Sequence, residues 1–283
     1  MSDFNEQEII DLFARRFAME QNDEPTAYDY IEMAQSAKSK KKAIEYASKA
    51  LELEPENLDA EKLIVKLQTK SSYELLEKYK ELLDKANTRM KEQGYFDEEN
   101  IGSFWGIFET RPYMRLMMDY AFKLIECNRI KSAGEIYREM LRLCEGDNLG
   151  VRYNLMHIYL YFEDEESALN LAKQFEDEAE YATQFLLPLS MLYYKKGDTE
   201  KAAEYLKALN DNNKDTYKFF DGVLKRKLEE YAANMDSFGY RPDTMEEFLM
   251  EFQQYNSFVF ALAEVYFEWG LAELKNMKKK KKS

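Results

Sequence analysis

Leu192-Tyr-Tyr-Lys-Lys-Gly-Asp-Thr-Glu-Lys-Ala-Ala-Glu-Tyr-Leu-Lys-Ala-Leu209 is the stretch that decides the fold. An apolar run ends at a Gly-Asp pair, and a second run resumes at helical spacing through Ala202, Leu206 and Leu209. Gly197 suits the left-handed turn that closes one helix, and the small Ala202 lets the next backbone approach closely. Two upstream segments align with this one: Cys127-Asn-Arg-Ile-Lys-Ser-Ala133 and Phe162-Glu-Asp-Glu-Glu-Ser-Ala168. The three alanines are spaced 35 and 34 residues apart, and each segment joins two apolar helical runs. An earlier copy lies at Ala43, with Ala47, Ala50 and a helix-ending Leu53-Glu54-Pro55. A period of this length marks stacked helix pairs.

Outward from these copies the chain reads as helix throughout, with no strands. An N-terminal helix is expected over about 3–20, a first pair over 24–54 and a longer-armed pair over 57–93. Residues 1–93 form the N-terminal region, 94–111 a Gly-containing connector, and 112–212 three further pairs, with Pro112 in a first helical turn. Residues 213–277 read as a C-terminal helical cap. Within it, a helix near 214–234 precedes a break at Ser237-Phe-Gly-Tyr-Arg-Pro242. Thr244-Met-Glu-Glu247 has a capping-box pattern. Phe258, Leu262, Val265 and Trp269 share one face of a closing helix. Residues 278–283 form a lysine-rich tail.

The 283 residues are 45% hydrophobic, enough for a substantial core. Ten Gly and five Pro argue against a many-turned β protein or a Gly-rich nucleotide-binding enzyme. Two cysteines, Cys127 and Cys144, supply no disulfide framework and no zinc set, and point to a reducing compartment. They read as small buried hydrophobes rather than a redox pair. A formal charge of −14, with five lysines concentrated at Lys278–Lys282, disfavours general nucleic-acid binding. The lysine run reads as a frayed, solvated tail, with a nuclear address, a membrane-surface patch or an RNA contact as alternatives. The acidic N-terminus lacks the pattern of a signal peptide. No uncharged stretch reaches the roughly 20 apolar residues of a membrane span. The expected location is cytoplasmic.

Phe96-Asp-Glu-Glu-Asn-Ile-Gly-Ser-Phe-Trp-Gly-Ile-Phe-Glu-Thr-Arg-Pro-Tyr-Met-Arg115 and Asp147-Asn-Leu-Gly-Val-Arg-Tyr153 are more specific than a generic repeat. The helix pairs resemble tetratricopeptide repeats. With these two motifs, the stretch over about 40–220 resembles the suppressor-of-tumorigenicity-7-like tetratricopeptide proteins. The resemblance implies an all-α, right-handed solenoid of helix pairs with C-terminal capping helices, and a scaffold without enzymatic activity.

In a tetratricopeptide array the first helix of each pair lines the concave face. In this register that face carries Arg115, Met118 and Phe122, then Tyr153, His157 and Tyr161, then Leu187, Met191 and Tyr194. Aromatic and methionine side chains are large and adaptable, so these apolar residues form a candidate peptide groove. The alternative is that the C-terminal helices cover them. They lack the Lys, Arg and Asn set of a clamp for chaperone tails. Arg111, Arg115 and Arg152 form a candidate anion edge for phosphorylated or small anionic ligands. The alternative pairs Arg111 or Arg115 with Glu109, and Arg152 with Asp147 or a carboxylate of a neighbouring repeat. His157 has no nearby nucleophile and reads as a groove or core histidine. Trp105 reads as a wedge between repeats. The runs Glu163–Glu166 and Glu176–Glu178 lack calcium-loop spacing. The expected function is that of a non-enzymatic scaffold or adaptor, without metal or cofactor, that binds a protein or peptide. The runner-up is an anion sensor.

Overall fold

The computed structural model describes residues 24–234, 241–254 and 263–280. The expected helix over 3–20, Phe258, Leu262 and Gly239-Tyr240 lie outside them. Among the described residues every α-helix packs beside neighbours in the chain, and no strand forms. Contacts divide the chain into two compact units, one of residues 1–95 and 109–116, the other of 96–108 and 117–283.

In the first unit, α1 (Ala27–Gln35) opens on a reciprocal box. The Asp29 amide donates to Thr26 Oγ1 at 3.3 Å, while the Thr26 amide donates back to Asp29 Oδ2 at 2.8 Å. Ser39 caps α2 (Lys40–Leu53), whose Ala43, Ala47 and Ala50 are all buried. Ala50 packs with Ala27, Ile31 and Ala60 in one buried cluster that joins α1, α2 and α3 (Leu58–Gln68). Next, α4 (Ser72–Glu92) buries Leu75, Leu76, Tyr79, Leu82, Leu83 and Ala86, a stripe at helical period. The expected pairs over 24–54 and 57–93 are therefore present as helices.

Helix α5 (Arg111–Glu126) belongs to the first unit as far as Leu116 and to the second from Met117. The second unit continues with α6 (Ile130–Leu143), α7 (Val151–Phe162), α8 (Glu165–Gln174) and the single turn α9 (Glu176–Ala179). Helices α10 (Thr183–Lys195) and α11 (Thr199–Asn212) follow. The three aligned segments share one turn chemistry. Asn128, Glu163 and Gly197, each five residues before its alanine, adopt positive φ of 58°, 57° and 82°. The following amides of Arg129, Asp164 and Asp198 donate to the carbonyls of Leu124, Tyr159 and Tyr193 at 2.7, 2.9 and 2.9 Å. This bond, five residues back, satisfies a carbonyl that the helix end would otherwise orphan. Ala133, Ala168 and Ala202 are fully buried. The copy at Ala43 is different: no residue of the Ser36–Ser39 turn has positive φ.

The expected single helix near 214–234 is two, α12 (Thr216–Leu224) and α13 (Leu228–Ala233). Arg226 at φ 55° turns the chain, and Tyr231 folds over Gly222, where a Cβ would stand 2.6 Å from its ring. Helix α14 (Met245–Gln254) follows Thr244, but Glu247 reaches the Asp243 amide at 3.2 Å rather than that of Thr244. Its carboxylate also accepts from Thr183 and Asn213 at 2.8 and 3.2 Å, tying α14 to α10 and to the end of α11.

Helix α15 (Glu264–Lys280) buries Tyr266, Phe267, Leu271 and Leu274 against α11 and α12. Val265, expected on the packed face, is 64% exposed, because one residue of helix turns it about 100° away. Trp269 lies at the edge of that face. The helix runs through Lys278–Lys280, and Lys278 Nζ sits 3.8 Å from the centre of the Tyr217 ring. The first tail lysines are therefore helical, where cations complement the helix C-terminus.

Candidate functional site

The residues expected to form an apolar groove are divided by the fold. His157, Leu187 and Met191 are almost completely buried, at 0%, 0% and 2% exposure. His157 Nδ1 lies 2.8 Å from the Tyr153 carbonyl. Tyr194 is half-buried against α15, 5.4 Å from the Tyr266 ring centre and 4.9 Å from that of Trp269. The Tyr266 hydroxyl donates to Ser190 Oγ at 2.9 Å, which fastens α15 along the same side of α10. Met118, Phe122, Tyr153 and Tyr161 remain half-buried. Helices α7 and α10 are apolar nearly all round, as interior helices are, so their first-helix position leaves few side chains for a ligand.

Two of the three arginines, Arg115 and Arg152, are committed to carboxylates. In the first unit, Arg115 pairs with Asp59 through two bonds, Nε to Oδ1 at 3.2 Å and Nη2 to Oδ2. Glu109 is not that partner. Arg111 is half-exposed at the start of α5. In the second unit, Arg152 bonds Asp147 Oδ2 at 2.9 Å, the partner anticipated from sequence, and Glu178 Oε2 at 2.8 Å. Its guanidinium also faces the Tyr153 and Phe175 rings at 4.3 and 5.1 Å. Asp147 accepts the Val151 and Arg152 amides at 2.8 and 2.9 Å and so caps α7. Burial nevertheless raises its pKa, against the pull of those donors. The Asp147–Tyr153 motif is thus a helix-start clamp reaching to α9.

The other distinctive motif is structural too. The Phe104 amide donates to the Leu143 carbonyl at 3.0 Å, and the Glu145 amide to that of Gly102 at 2.9 Å. This pairing docks the connector on the turn after α6, with Phe104 fully buried.

Open space lies on the other side of α7 and α10. On α10, Leu186, Leu189 and Tyr193, at 2%, 1% and 3% exposure, form the buried floor of a groove of 680 Å³. Their positions lie about 100° or more around the helix axis from Leu187 and Met191. Leu169 and Ala172 of α8 form one wall, Tyr205 and Ala208 of α11 the other, and Ala179 closes it near α9. Tyr193 and Tyr205 stack, with ring centres 5.6 Å apart and planes 6° from parallel. Tyr193 donates to Glu165 Oε1 at 2.8 Å, and Lys201 Nζ lies 4.7 Å from its ring centre. Burial, then Glu165, pushes the Tyr193 phenol up, and burial likewise raises Tyr205. Glu165 is held below its ordinary value by bonds from Lys196 and Tyr193. Two smaller spaces of 440 and 510 Å³ share Arg138, Tyr159 and Ser167 and lie between α6 and α8.

Sequence reasoning did not single out Leu169, Tyr193 or Tyr205. Their signal was present: Leu169 is a large apolar residue, 37% exposed, on an otherwise polar helix face, and the tyrosines flank the Gly-Asp turn. Among the described residues no group of three or more His, Cys, Asp or Glu could hold a metal ion. No helix there is long and apolar enough to cross a membrane. No protein-family model matches the chain, and no curated protein matches it.

Proposed function

We propose that this chain is a non-catalytic interaction scaffold, a right-handed array of tetratricopeptide-like helix pairs akin to the suppressor-of-tumorigenicity-7-like proteins. It works in the cytoplasm, and its partner is a protein segment rather than a nucleic acid. The partner docks in the groove floored by α10 and walled by α8 and α11. The observation that carries this reading is the groove itself: 680 Å³ of open space over an apolar floor, with a stacked tyrosine pair on one side. Sites that bind peptide segments are concave and largely apolar, with a few polar groups that set orientation. The repeated turn at Asn128, Glu163 and Gly197 supports the array reading, because one turn chemistry recurring before buried alanines generates similar helix pairs.

The first-helix side is a weaker docking surface, since α15 covers Tyr194. The anion-sensor alternative loses ground because Arg115 and Arg152 already bind carboxylates.

The test is selection of peptides from a random display library on the purified chain, followed by fluorescence polarisation. Leu169→Arg and Tyr205→Ala should weaken the selected peptides at least tenfold while leaving thermal unfolding near wild type. Peptides indifferent to both substitutions, or no enrichment at all, count against the groove.

A further inference from the structure

The groove between α8 and α11 has an apolar floor and a rim with three carboxylates against one cation. Glu176, Glu180 and Glu204 all line it, and all three are exposed. None of them forms an ion pair with a described residue, whereas Lys195, Lys196, Lys207 and Lys225 of this unit all pair with other carboxylates. The one cation on the lining, Lys201, is already engaged. Its Nζ reaches Glu165 Oε1 at 4.0 Å and faces the Tyr193 ring. Helices α8 and α11 both pack on α10 from either side. The space between them is a furrow bounded by helices, the shape into which an added helix lays its ridge of side chains.

The furrow between α6 and α8 has the opposite character. Lys131 and Arg138 line it, both exposed, and neither pairs with a described carboxylate. Asp164, also on that lining, is occupied with the Ser167 amide as the cap of α8. Two neighbouring furrows that share α8 as a wall therefore differ in sign.

We propose that the α8–α11 groove takes a basic amphipathic helix of a partner protein. This rests on the reading of that groove as a docking surface. The partner's apolar face lies against Leu169, Ala172, Tyr205 and Ala208, above the buried Leu186 and Leu189. Its Lys or Arg residues, three or four apart along the flank, meet Glu176, Glu180 and Glu204. The cationic lip of the next furrow repels the same helix, so sign selects the groove as well as the partner.

Two synthetic 18-residue helices test this. They share a Leu/Ala apolar face, one carrying Lys and the other Glu on the polar face, and binding is followed by fluorescence polarisation at low and moderate salt. The Lys probe should bind the wild-type chain, more weakly as salt rises. Combined Glu176→Lys, Glu180→Lys and Glu204→Lys should cost it at least tenfold and shift preference to the Glu probe. A control with Glu92→Lys, Glu98→Lys and Glu99→Lys has the same net charge and should stay within twofold of wild type. If the Glu probe binds the wild-type chain as tightly as the Lys probe, the basic partner is overturned while the groove stands. If the control loses as much as the rim variant, diffuse charge is responsible and the proposal is overturned. If Leu169→Arg leaves binding of both probes unchanged, the docking surface itself falls.

Discussion

Tyr137 on α6 is fully buried, and its hydroxyl has no hydrogen-bond partner among the described residues. Leaving a buried hydroxyl unsatisfied costs about 1–3 kcal/mol. Tyr137→Phe deletes that oxygen and nothing else, so it should stabilise the chain by about 1–2 kcal/mol near pH 8. A second signature follows from ionisation. Burial raises the Tyr137 phenol far above its ordinary value of 10.0. With the folded value raised, the group's stabilising contribution is complete below pH 10 and is lost as pH rises, because the unfolded chain ionises first. Linkage puts that loss at about 0.4 kcal/mol at pH 10 and about 1.4 kcal/mol at pH 11. The phenylalanine variant escapes it, so its advantage should widen by about 1.4 kcal/mol between pH 8 and pH 11. Urea unfolding followed by far-ultraviolet circular dichroism, run on both proteins at each pH, reads the difference directly. A variant less stable than wild type at pH 8 would refute the reasoning, as would an advantage independent of pH. Either would mean that the hydroxyl is satisfied or able to ionise in the native state.

Arg152→Ala strands the buried Asp147 carboxylate and should cost about 3 kcal/mol in urea unfolding, with Arg152→Lys recovering only part because one ammonium cannot serve both carboxylates. Gly270→Ala puts a methyl 2.5 Å from Phe220 Cε1 in a fully buried ring cluster. It should lower stability by about 1–3 kcal/mol, against the usual gain from Ala in a helix, and an unchanged or raised Tm would contradict that packing. Glu165, held low by Lys196 and Tyr193, stabilises the native state above the ordinary carboxylate pKa, and that contribution is lost as pH falls through its folded value. Carboxyl NMR titration should place it below 4.5 in the wild type and return it toward 4.5 in Lys196→Met.

Helix positions were readable because their causes are local. Pro112 in a first turn, the Gly197 turn and the alanine spacing each act within a few residues. Glu163 shows the limit of such reading. It occupies the left-handed turn position held elsewhere by Asn128 and Gly197, yet glutamate gives no sequence sign of positive φ. The split between α12 and α13 was hidden for a similar reason: it depends on Tyr231 finding Gly222 across the turn. The candidate groove fared worse. Met191 and Tyr194 lie on α10, and residue type does not reveal which side of an all-apolar helix is covered.

From sequence alone came the all-helical class, the spacing of the paired helices, the small residues at their contacts and the acidic balance of the chain. These depend on backbone chemistry and composition, which every short segment carries with it. Only the tertiary structure decided which side of α10 lies under the groove and which lies under α15. That choice rests on α15 burying Tyr266 and Phe267 from more than 60 residues downstream, and on Arg152 meeting Glu178 in a different turn. Side-chain burial is a property of what arrives next to a helix, and no local pattern encodes the arrival.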